Sequence, residues 1–320
     1  MNQDKLLLKI SQLTDENKSL IDVVSESLDI SYASAQRRVS GNAKLSIEEA
    51  VKLAKDFRLS IDNVYKIGDQ DIIPFHKTQI TTNIKDFINY FSGFCQQLDI
   101  IATIENTSII YATKDLAVTC TFESDFLSKF KIFVWQKLLN PSFKDKLFTN
   151  FEIPAALKKA YREMGEKYDE TDVTEIWDIT TLNSTLKQIH YYLSVNQLTN
   201  YDALIICKEL RKTIKRLKEK AYPESKFRLY YNELIVMGNQ IFFDSPLGSA
   251  LYIQNTAMNF FKTSDPDACF HTREYLNTLL ENSKLLNVGN EKEKSIFFNK
   301  LFSKIDSLEN NIKSMQELDF

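Results

Sequence analysis

Glycine, proline and histidine are scarce in this chain, and each shortage removes a class of protein. Seven Gly and six Pro in 320 residues are too few for an all-β barrel built on tight turns, for a collagen-like rod or for a low-complexity linker protein. They also leave little material for a loop that cradles phosphate. The sequence has no Walker loop, no Gly-x-Ser-x-Gly elbow, no His-Glu-x-x-His and no glycine-rich dinucleotide turn. An enzyme is not expected. With three His and four Cys, metal chemistry is short of ligands: Cys95, Cys120, Cys207 and Cys269 form no Cys-x-x-Cys pair. No metal and no cofactor are expected, and free thiols suit a reduced cytoplasm. No apolar run approaches the roughly 20 residues of a membrane span, and the N-terminus lacks a signal-peptide core. A cytoplasmic protein without membrane contact is the expectation.

Strong charge is also missing. The net charge is −3, and residues 1–70 hold ten basic and eleven acidic side chains. The whole molecule is therefore no electrostatic sponge for nucleic acid, and distribution matters more than the total. From Ser31 to Leu45 there are three cations, Arg37, Arg38 and Lys44, and no acids. Lys52, Lys55 and Arg58 follow closely.

What is present is organised around Leu20 to Leu53. Leu20, Ile21, Val24 and Leu28 fall at helical spacing behind Ser19 and Asp22, a short-armed capping box. Ser31 then caps a second, short helix whose polar side carries Ser34, Gln36, Arg37 and Arg38, with Ala35 and Val39 on its buried side. Gly41 suits the left-handed residue that ends such a helix. Ser46-Ile-Glu-Glu49 is a capping box for the next helix, which sets Ile47, Ala50, Val51, Ala54 and Phe57 on one face. An opening helix over residues 3–13 and a short turn from Ser60 complete the unit. Small residues at the start of the short helix permit close approach to DNA. Gln36 and Arg37 have the donors to reach adenine and guanine edges in the major groove. The candidate DNA-contacting residues are Ser31, Tyr32, Ala33, Ser34, Gln36, Arg37, Arg38, Ser40, Asn42 and Lys44.

The segments LDISYASAQRRVSG and LSIEEAVKLAKDFRLSID resemble the lambda-repressor-like (XRE-type) helix-turn-helix superfamily, in its BetR-like phage-repressor variant. IIYATKDLAV, FKIFVWQKLL, EIWDITTLNSTLKQIHYY, LYYNELIVMGNQI and NEKEKSIFFNKLFSKI further downstream resemble a family of mostly uncharacterised bacterial helix-turn-helix regulators. The resemblance implies a sequence-specific transcription regulator that binds double-stranded DNA as a homodimer. The chain departs from the pattern at Asp29, where many such repressors have Gly, and at Val39, where the apolar residue sits one place beyond Arg38. Either Arg37 or Arg38 is thus a candidate to face the bases.

After Tyr65 the helical period breaks at Gly68 and Pro74, placing a linker at 68–80 between a domain at 1–67 and a body at 81–320. The body opens on an amphipathic helix with Ile84, Phe87, Ile88, Phe91, Cys95 and Leu98 in one stripe. Ile109–Ala112 and Leu116–Thr121 suggest a hairpin. Helices are expected at Ser124–Leu139, Ala155–Tyr168, Leu182–Val195, Tyr201–Ala221, Thr256–Lys262 and His271–Leu286, with no repeat of fixed period. Three antiparallel strands are expected between Lys226 and Asn255. The predicted fold is mainly α: a lambda-repressor-like head, then a larger, mostly helical α+β domain with a small antiparallel sheet.

Three further features each allow two readings. Tyr230, Tyr231, Phe242 and Tyr252 could line a site for a small-molecule or peptide effector, or fill a core. Phe297, Leu301, Ile305, Leu308, Ile312 and Met315 form a near-heptad stripe that suits dimerisation or packing on the chain's own body. The run Lys208–Lys220, with seven cations and two acids, is a second anion contact or a solvated helix face. The alternative to DNA binding is a protein- or peptide-binding adaptor whose head never touches a duplex.

Overall fold

A computed structural model describes residues 3–14, 18–65, 73–78, 81–234, 236–288 and 291–318. The chain divides into two compact units, 1–74 and 75–320.

The first unit holds α1 (Asp4–Leu13), α2 (Leu20–Leu28), α3 (Tyr32–Val39), α4 (Ile47–Asp56) and α5 (Ile61–Tyr65), close to the bounds that the periodicity gives. Leu6, Ile10, Val24, Ala35 and Leu53 are fully buried at its centre. One face was misassigned: Ile47 is 84% exposed. It occupies the first turn of α4, so the buried stripe starts only at Ala50.

The second unit runs β1 (His76–Lys77), α6 (Ile84–Ala102), β2 (Ser108–Ala112), α7 (Asp125–Leu139), α8 (Ala155–Glu170), β3 (Val173–Trp177), α9 (Asn183–Ser194), α10 (Asn200–Lys220), β4 (Phe227–Tyr231), β5 (Gln240–Asp244), β6 (Ala250–Gln254), β7 (Phe260–Thr263), α11 (Pro266–Glu281), β8 (Lys284–Leu285) and α12 (Glu291–Leu318). The strands form one eight-stranded mixed sheet in the order β1-β7-β6-β5-β2-β3-β4-β8. This overturns the expectation of a mainly α chain with a small antiparallel sheet, and the fold is α+β with a sizeable sheet. β3, sixth in that order, runs parallel to both β2 and β4, and the remaining pairings are antiparallel.

The sequence reading missed β3 because all five of its residues are buried. A strand covered on both faces shows no alternation, and VTEIW is too short and too polar to announce itself. The hairpin expected at 109–121 is absent. Leu116–Thr121 holds a 3₁₀ turn at Val118–Cys120, and β2 pairs instead with β3 and β5. Of the three strands expected after Lys226, β5 and β6 do pair, but β4 joins β3. Thr256–Lys262 is not a helix, since Phe260–Thr263 is β7. Within the expected linker, His76 and Lys77 form β1 against β7, while residues 66–72 and 79–80 lie outside the described ones.

Alternation along the strands separates two layers. Ala112, Ile176, Phe242 and Leu251 pack with Cys269 and Leu276 of α11 on one face. The other face meets the main core, where Trp177, Phe227 and Leu229 pack with α6, α7, α8, α10 and α12. Glu175 points into this core with no exposure. Its carboxyl accepts from the Tyr168 hydroxyl at 2.8 Å and the Trp177 indole at 2.6 Å. Burial raises its pKa above the usual carboxylate range. A raised folded-state pKa means stability that is complete below the ordinary Glu range and is lost as pH rises through the elevated value. Glu175→Gln retains an acceptor for the indole, so denaturant melts across the acid-to-neutral range are expected to lose that downward slope; an unchanged slope would assign it elsewhere.

The near-heptad stripe of α12 is occupied by its own chain. Phe297, Leu301, Ile305 and Ile312 are at most 1% exposed and Leu308 is 9% exposed, with α12 lying along α10. Arg211 bonds Asp306 and lies 3.6 Å from Glu309. The dimerisation reading of these five residues is therefore withdrawn, because the surface it needs is core. The side chain of Met315 lies outside the described residues.

Candidate nucleic-acid interface

The geometry of the short helix α3 is set by the turns on either side of it. Asp29 adopts φ 55° and ψ 49°, the left-handed conformation that Gly takes most cheaply and Asp tolerates. The Asp29 N–H donates to Glu26 O and the Ile30 N–H to Ser25 O, the paired bonds that close a helix end. The turn between α2 and α3 is thus formed without Gly. Ser31 then caps α3 by accepting from the Ser34 N–H at 3.3 Å, and Gly41 leaves the helix region at φ 78°.

The structure separates the two arginines. Arg38 donates from Nε and Nη2 to Glu49, at 3.0 and 2.6 Å, and from Nη1 to Ser34 O at 3.2 Å. The Glu49 contact raises the arginine's pKa, and the Arg38 side chain in turn holds Glu49 below its ordinary range. Glu49 also accepts from the Ser46 N–H at 2.9 Å as the far half of the α4 capping box. One carboxylate therefore caps α4 and ties α3 to it, for on the order of 1–3 kcal/mol from charge-assisted bonds. Arg37, one residue earlier, is exposed, and among the described residues its guanidinium has no acidic partner.

Because Glu49 has a depressed pKa, its contribution is present above the ordinary carboxylate range and is lost as pH falls through its own lowered value. Acidification is expected to loosen the α3–α4 tie, read as an added acid-side melting slope of the first unit. Glu49→Gln keeps the capping box but should show no such slope.

The other candidates fall into place around this brace. Ser31, Tyr32, Ala33, Gln36, Ser40, Asn42 and Lys44 are exposed, Ser34 is half-buried, and Ala35 is the buried residue of α3. Asn42 donates to Ser40 Oγ at 3.1 Å. The exposed cations are therefore Arg37 and Lys44, with Lys52, Lys55 and Arg58 on and after α4. Arg38 is a positioning residue.

Gln3 was missed. Its Nε2 donates to Arg38 O and Ala43 O at 2.7 and 3.0 Å, and its Oε1 accepts from the Leu45 N–H at 2.9 Å. It fixes the loop that carries Asn42 and Lys44. A single Gln ahead of a helix gives no signal of a bond to residues about forty positions away. Exposed Ile47 lines a groove of about 500 Å³ with Gly41, Lys44 and Leu45.

No family model, curated protein or solved structure matches this chain.

In the second unit the four aromatic candidates do not converge. Tyr230 and Tyr231 sit on β4, separated from Phe242 on β5 by two strands, β3 and β2. Phe242 is fully buried in the α11-side core, Tyr231 is 4.5 Å from Phe297, and Tyr252 packs on Phe243 at 5.2 Å. As an effector site they are withdrawn: successive strand residues face opposite layers. The basic run on α10 is largely partnered, with Arg216 and Lys220 both on Asp169 at 2.7 and 2.6 Å. Among the described residues no His, Cys, Asp and Glu cluster could hold a metal ion, the four Cys are free and buried, and no helix is long and apolar enough to cross a membrane.

Proposed function

We propose that the first unit is a helix-turn-helix reader of double-stranded DNA and that the protein is a cytoplasmic transcription regulator of the lambda-repressor-like kind its head resembles. One observation carries this reading. A short helix, capped by Ser31 and braced through Arg38 to Glu49, presents Gln36 and Arg37 outward within an acid-free segment, 31–45, and among the described residues Arg37 has no acidic partner. Arg and Gln at such positions suit bidentate contacts to guanine and adenine, while Ser40, Asn42 and Lys44 reach phosphate and set register. A homodimer on two half-sites supplies the affinity that one small patch lacks, through a surface other than the α12 stripe.

Selection of duplexes from a random library with the full chain tests the proposal. An enriched, half-site-containing motif is expected. No enrichment at low salt would leave the adaptor reading, which is favoured by the slightly acidic head and by exposed Ile47.

A further inference from the structure

A second surface, confined to the body, has the chemistry of a ligand site. Residues of α7, of α9 and of the loops that follow them line a groove of about 590 Å³, within the size range of small-molecule sites, among them Lys137, Leu138, Lys144, Lys187, Gln188 and Tyr191. Three ammonium groups line it and no carboxylate does, among the described residues. None of the three sits in an ion pair with a described residue. Lys137 donates instead to the carbonyl of Lys144 at 2.5 Å and lies 5.2 Å over the Phe133 ring. Burial lowers its pKa, against the opposing pull of Asp145, so the charge is held where water serves it poorly.

An aromatic ring accompanies the cations, with Gln188 also in the lining. Tyr191 is 58% exposed, its ring held edge-on by Tyr192 at 5.2 Å, so an open aromatic face stands one helical turn from Lys187. The walls are fixed. Lys131 of α7 donates to Thr185 of α9 at 2.7 Å and to Asp115 at 2.8 Å, and Tyr192 packs on Phe133 at 5.4 Å. A rigid groove spares a ligand the cost of ordering it.

We propose that this groove binds a small phosphorylated nucleoside. The lysines take the phosphate as point charges, and the base stacks on Tyr191. Each part of the ligand answers one observation: unpaired cations and an open ring. The assignment is independent of duplex binding, since the titration contains no DNA.

Calorimetric titration of the full chain with adenosine 5′-monophosphate tests it, beside inorganic phosphate and adenosine. The complete nucleotide is expected to bind, and phosphate or adenosine alone to bind at least about tenfold more weakly. Lys187→Gln and Lys144→Gln, both at exposed side chains, should each weaken it about tenfold through loss of a charge-assisted contact, with unchanged melting. Tyr191→Ala should weaken nucleotide and nucleoside alike. The proposal is overturned if phosphate binds as well as the nucleotide, if neither lysine substitution matters, or if no nucleotide binds at millimolar concentration. Affinity for single-stranded oligonucleotides that climbs with length would also overturn it, in favour of a nucleic-acid track.

Discussion

Arg37→Ala is expected to weaken binding to the selected duplex by about 1–3 kcal/mol, roughly tenfold to a hundredfold, and to relax preference at one base pair. The melting of the first unit should not change, because the Arg37 side chain is exposed and touches no described acid. Arg38→Ala should behave in the opposite order. It strips Glu49 of its partner and frees α3 from α4, so stability falls first and binding follows. Measuring both variants for melting and for affinity separates a reading residue from a positioning one. Equal loss of stability in the two would refute the division of labour, and full affinity of the Arg37 variant would refute the DNA contact. Gln36→Ala combined with Arg37→Ala should add a second loss of similar size, provided the two side chains contact separate bases.

The second large effect is expected at Gly165, in the middle of α8. A methyl group there would lie well inside contact distance of Cβ and the ring root of Phe122, a buried residue beside the 3₁₀ turn at Val118–Cys120 whose ring also carries the Arg216 guanidinium at 5.1 Å. In an exposed helix, Gly→Ala stabilises by about 1 kcal/mol. Here overpacking against atoms that cannot swing away should reverse the sign and cost about 3 kcal/mol or more. Urea melts of the full chain check the direction. In a double-mutant cycle, Phe122→Ala should absorb much of the Gly165→Ala penalty, so the pair costs less than the sum. A stabilised Gly165→Ala variant would show that α8 can move off its neighbour.

Legibility in the sequence followed the range of the forces involved. Capping at Ser19, Ser31 and Ser46, the left-handed turn at Gly41, and most helices of the body were readable within a few residues, since caps and apolar periodicity act over one or two turns. Strand pairing was not. β2 looks like half of a local hairpin, yet its partners β3 and β5 come from about sixty and one hundred and thirty positions downstream, and no local pattern encodes that choice. The same limit applies to β7, whose local pattern suits a helix: four residues at the sheet's side carry too little period to decide.

By itself, then, the sequence determined the helical head and the capped short helix α3 with its exposed polar residues, because these rest on residue chemistry and short spacing. Only the tertiary structure decided which arginine is held by a carboxylate, since Glu49 captures Arg38 from eleven residues away across two helices. It alone decided that the α12 stripe is core and that β3, with its buried Glu175, lies inside the sheet between β2 and β4. It also brought Lys137, Lys187 and Gln188 to one groove. Those outcomes depend on which surfaces meet, a property that emerges once distant segments pack.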